Sequence, residues 1–144
     1  MNMQPKTLTA APMNWGALLR AVLSPSLIWA SVSLFVIYQG QPGVMCLTPM
    51  AWLLSIWGGV YYGQHEHPSR PAVFGGLIAG AITGIVMAAL FVYGSARMMI
   101  GETRPDEIAR GNTMTVAIGI ASIIVCALVT ALSAHMAQRR QRSR

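Results

Sequence analysis

The chain has 144 residues, 54% of them hydrophobic and 10% charged, with a mean hydropathy of +0.53. Soluble domains carry roughly one-quarter charged residues, so a water-facing globule is excluded and the apolar excess has to meet lipid. Ten Lys and Arg against four Asp and Glu give a charge of +6 and a pI near 10.2. These basic residues flank apolar segments instead of forming a patch, which argues against nucleic acid and for membrane lipids as partners.

Residues 1–14 are a short N-terminal segment ahead of the first apolar stretch. A helical span needs about 20 mostly apolar residues, and four stretches qualify, at 15–38, 44–63, 72–96 and 113–137. The expected fold is an all-α membrane protein, a bundle of four transmembrane helices occupying 15–137, with 138–144 as a basic tail.

The first stretch contains Pro25 and a modest row of small residues, Ser26, Ala30 and Ser33. Its stretch after Arg20 is longer than a usual signal core, and Tyr38-Gln-Gly-Gln-Pro lacks a small-x-small cleavage site, so an uncleaved span is expected. Gln39-Gly-Gln-Pro-Gly43 is a turn of breakers and predicts a tight antiparallel hairpin. The second stretch places Ala51, Ser55, Gly59 and Gly63 at four-residue spacing and contains Pro49, which is expected to kink it. The connection 64–71 carries charges, histidines and two prolines and is expected to be wet.

The third stretch repeats small residues at Gly76, Gly80, Gly84 and Ala88. Loop 97–112 follows on the opposite side; within it Thr103 is expected to cap a short surface helix ended by Gly111-Asn112, with Asp106 pairing Arg110. The fourth stretch aligns Thr115, Gly119, Ser122, Cys126, Thr130 and Ser133 along one face. Helices in lipid associate through close contacts between small residues and through hydrogen bonds, so these stripes read as packing faces.

Lys and Arg set the orientation. Seven of them (Lys6, Arg20, Arg70 and the tail arginines) fall on one side and three (Arg97, Arg104, Arg110) on the other. Both termini are therefore expected in the cytoplasm, with the protein in the plasma (inner) membrane.

No Asp, Glu or Lys falls within an expected span, whereas proton relays and ion paths depend on such residues. His65, His67 and His135 share the expected cytoplasmic side and are the candidate metal ligands, set against ordinary interfacial histidines. Met45, Cys46, Met98, Met99 and Met114 form a second, softer candidate set. Cys46 and Cys126 differ in depth by roughly 15 Å at the helical rise, too far for a disulfide within one chain. No catalytic motif is present, and neither enzymatic activity nor a cofactor is expected. The expected role is association, as a homo-oligomer or an accessory subunit of a membrane complex. The alternative is a small oligomeric transporter or channel whose path follows the fourth stripe.

Overall fold

The computed structural model describes residues 12–39, 48–98 and 104–143. Among them are four helices and no strand: α1 (Trp15–Tyr38), α2 (Thr48–His65), α3 (Ala72–Met98) and α4 (Pro105–Arg142). Helices α1, α3 and α4 are long and apolar enough to cross a membrane, which marks the chain as a membrane protein. At 18 residues, α2 is shorter than the others. It spends positions on Trp52, Trp57, Tyr61, Tyr62 and three glycines, so it does not reach the apolarity of its neighbours.

Three of the helix starts have a local cause. Asn14 caps α1, its side chain accepting from the Ala17 amide at 3.1 Å. Pro49 lies in the first turn of α2, where its missing N–H breaks no bond of the described helix. It marks a helix start, not the expected kink within a span. Helix α4 begins on Arg104 without a side-chain cap, with Pro105 in its first turn. Thr103, the expected cap, lies outside the described residues. The ion pair found at this end joins Arg104 to Glu107 at 3.0 Å, not Asp106 to Arg110.

Gly111-Asn112 does not end a helix: α4 runs unbroken for 38 residues. One glycine in a helix costs about 1 kcal/mol, whereas a break would strand four N–H and four C=O groups. The Thr113 hydroxyl donates to the Ala109 carbonyl at 2.9 Å, across the glycine step. At 1.5 Å per residue α4 is about 57 Å long, nearly twice a hydrocarbon core of about 30 Å.

Two contacts give the topology. The Asn14 side-chain amide donates to the His65 carbonyl at 2.9 Å, and the Ala72 amide donates to the Gln138 side chain at 3.0 Å. The start of α1, the end of α2, the start of α3 and the end of α4 therefore share one end, the tail end, of an up-down-up-down bundle. Helices α2 and α3 both pack on α4 and on α1, while α1 and α4 do not meet among the described residues. One apolar cluster, including Leu18, Ala21, Tyr62, Ala79 and Ala134, fills the tail end, and a second, of Trp29, Ala51, Met87 and Cys126, lies deeper.

Candidate functional site

The most intimate contact in the bundle is the seam where α4 meets α2 and α3. A Cβ added at Gly84 would lie 2.7 Å from Ile123 Cα, and one at Gly76 would lie 2.9 Å from Ala131 Cα. At Gly80 it would strike the Cys126 carbonyl, with Ala127 Cα 2.7 Å away. On α2, Gly59 faces Thr130 and Ser133, and a Cβ at Gly63 would lie 2.8 Å from Ala134 Cα. Ala51 and Ser55 are buried on the same helix. Gly119 differs from the rest, because a Cβ there would meet Ala88 Cβ at an ordinary 3.6 Å.

Helix α2 also approaches α1 closely. Pro25 has no N–H, so the Ala21 carbonyl lacks its usual i+4 donor. A Cβ on Gly58 would lie 2.7 Å from that carbonyl oxygen and 3.1 Å from Pro25 Cγ. Only a bare Cα fits into the notch.

The hydroxyl-and-thiol row of α4 points into this seam. Thr115, Cys126, Thr130 and Ser133 are buried and Ser122 is half-buried. Thr130 Oγ1 donates to the Ser55 carbonyl at 3.2 Å, and Ser133 Oγ donates to the Thr130 carbonyl at 3.0 Å. The Cys126 thiol, free and buried, lies 3.8 Å from the Met87 sulfur. A second row on α1, Ser26 Oγ, Trp29 Nε1 and Ser33 Oγ, is buried without hydrogen-bond partners among the described residues.

The tail end holds the polar chemistry that the sequence reading placed in water. Glu66, in the connection expected to be wet, is 3% exposed. Its carboxylate accepts from the Tyr62 hydroxyl one turn back and from the His67 amide at 3.0 Å. Gly75 makes room for the Tyr62 ring, since any side chain there would overlap it. Gln138, counted with the basic tail, is buried as well. Its Nε2 donates to the Arg70 carbonyl at 2.6 Å and the His67 carbonyl at 3.3 Å, and its Oε1 takes the Ala72 amide. Gln141 Nε2 donates to the Gln64 carbonyl at 2.7 Å, and Arg142 donates to the Pro68 carbonyl. Helix α4 thus clasps the whole 64–71 connection. A signal for Glu66 existed in the four-residue spacing of Tyr62 and Glu66, but its burial depends on Gly75 across the turn.

The candidate metal ligands are engaged separately. His65 stacks on Tyr61 with ring centroids 4.2 Å apart, its Nδ1 donating to the Tyr61 carbonyl at 2.8 Å. His67 Nδ1 lies 2.8 Å from Ser69 Oγ, and His135 is half-buried on α4. Among the described residues no three His, Cys, Asp or Glu side chains gather as a metal-holding group. Of the softer set, Met114 is exposed on α4, while Met45, Cys46, Met99 and the side chain of Met98 lie outside the described residues.

Two open cavities flank α2 near the tail end. One of about 320 Å³ lies between α2 and α4, and one of about 90 Å³ lies between α1 and α2. No family model matches the chain, and no curated protein or solved structure matches it.

Proposed function

We propose that this chain is a four-span protein of the plasma membrane that works by lateral association, as a homo-oligomer or an accessory subunit, and not by catalysis. The observation that carries this reading is the character of the exposed surface. Large apolar side chains are exposed along all four helices, among them Leu27, Phe35, Trp52, Trp57, Phe74, Ile85, Ile124 and Leu132. The Thr130 and Ser133 hydroxyls and the clasp amides, by contrast, bond to the chain's own backbone. A protein built this way meets partners chiefly through its apolar flanks within the bilayer. Trp52 and Trp57, half-exposed on α2, are the kind of side chain that concentrates interface energy.

The up-down-up-down order supports α2 as the fourth span, because α2 returns the chain to the end where α1 began. The excess of Lys and Arg at that end supports a cytoplasmic placement of both termini. The hydroxyl row of α4, on which the transporter alternative rests, faces α2 and α3 inside one chain and there has neighbours of its own.

Native mass spectrometry of the gently solubilised protein from its own host tests the proposal. A defined homo-oligomer or a stoichiometric second subunit is expected. A clean monomer that co-purifies with no other chain overturns it.

A further inference from the structure

The geometry points to a binding site for an anionic phospholipid in the cavity between α2 and α4. The inference rests on the chain's being a membrane protein and is independent of association. The cavity of about 320 Å³ opens sideways from the bundle near the tail end. This is the lower end of the range of about 300–1,000 Å³ that holds small ligands. It suits a headgroup with the upper part of one acyl chain, not a whole lipid.

The lining is graded along the helix axis. Ile56 and Val60 of α2 and Met136 of α4 form the apolar part, where the Ser133 hydroxyl also lines the cavity but is bonded to the Thr130 carbonyl. Gln64, Gln141 and Arg140 form the polar part. Arg140 follows Met136 by one turn, about 6 Å along the axis, and Gln64 follows Ile56 by about 12 Å. Apolar walls topped by a cation and amides match a phospholipid, whose phosphate sits just above its first methylenes. Among the described residues no Asp or Glu lines the cavity, so a phosphate there meets a cation and no competing carboxylate from them.

The neighbouring arginines are placed differently. Arg142 is spent on the Pro68 carbonyl, and Arg20 reaches the Tyr61 hydroxyl at 3.5 Å beside the smaller cavity of about 90 Å³. Arg140 is exposed and lines the larger one. Arg139 is also exposed but points elsewhere, being one helical step, about 100°, around α4. The gradient, with Arg140 as the one lining cation among the described residues, favours a lipid over a soluble anion, which would not use the apolar walls.

The test is a lipid titration of the full-length detergent-solubilised protein, read as bound-lipid fractions by native mass spectrometry. The probes are phosphatidylglycerol and phosphatidylcholine with the same acyl chains, and inorganic phosphate as competitor. Phosphatidylglycerol is expected to bind at least tenfold more tightly than phosphatidylcholine. Arg140→Gln brings it to within about twofold of phosphatidylcholine, while Arg139→Gln, with the same charge removed, leaves the preference intact. Val60→Trp, which fills the apolar part, weakens both lipids. Equal binding of the two lipids, or equal losses in the two arginine variants, overturns the site, the latter by showing diffuse attraction to the tail. Displacement of phosphatidylglycerol by millimolar phosphate overturns it in favour of a soluble anion.

Discussion

Single residues divide here by whether a neighbour can move aside. Gly84 lies against Ile123 Cα at 2.7 Å from where its Cβ would be, and backbone cannot swing away. Gly84→Ala is therefore expected to destabilise the bundle by about 1–3 kcal/mol, the cost of overpacking a filled core. Gly119→Ala meets Ala88 Cβ at 3.6 Å, so the better helix propensity of alanine prevails and stability rises by about 0.5–1 kcal/mol. Thermal unfolding in one detergent reads both, and shifts of the same sign would contradict this packing. Gln138 is the other decisive residue. Gln138→Leu takes the Gln138 side chain away from the Ala72 amide and the Arg70 carbonyl, while the His67 carbonyl keeps the Arg70 amide at 3.0 Å. The expected loss is about 2–3 kcal/mol, since each stranded buried group costs about 1–3 kcal/mol. Gln141→Leu, which frees one exposed contact, is expected to shift the melting temperature far less. Comparable shifts would mean that Gln138 does not hold the clasp.

At the level of helices, apolar length is a local property and was legible in the residues. The first span, read as 15–38, is the helix Trp15–Tyr38, and the third begins at Ala72 as read. Breakers misled at Gly111-Asn112, because a glycine permits a turn without requiring one. There the helix on both sides keeps its hydrogen bonds, and α4 is one rod. The clasp was the least legible part. Gln138 looks like a surface residue until the connection more than sixty positions away folds against it, and no periodicity reports such a contact. Continuity of α4 has a direct test. Proline inside an unbroken helix costs about 3 kcal/mol and clashes with the carbonyl four residues back. Gly111→Pro is expected to abolish hydrogen-exchange protection of the amides around 108–115, and Gly111→Ala to increase it. If Gly111→Pro left that protection unchanged, α4 would be two helices meeting at the glycine.

For the molecule as a whole, the number of crossings decides where the ends lie. Three crossings would put the termini on opposite sides of a membrane, whereas four put them on the same side. The weakest candidate is α2, with 18 residues, four large aromatics and three glycines. Yet its 18 residues cover about 27 Å at the helical rise, close to a hydrocarbon core of about 30 Å. Packing against α1, α3 and α4 gives its glycines backbone to meet, so α2 needs less apolar surface than a helix surrounded by lipid. On the proposed four-span reading, contacts with neighbours replace hydropathy as the reason for α2 to stay in the membrane. The consequence can be read with an impermeant maleimide in intact cells, on a background lacking Cys46 and Cys126. Gln41→Cys, between α1 and α2 in the chain, is expected to label before permeabilisation. Ser69→Cys, exposed in the connection at the tail end, is expected to label only afterwards. The reverse pattern would turn the bundle over and place the tail arginines outside. Equal labelling of the two positions would mean that α2 does not cross, leaving the three more apolar helices as the only spans.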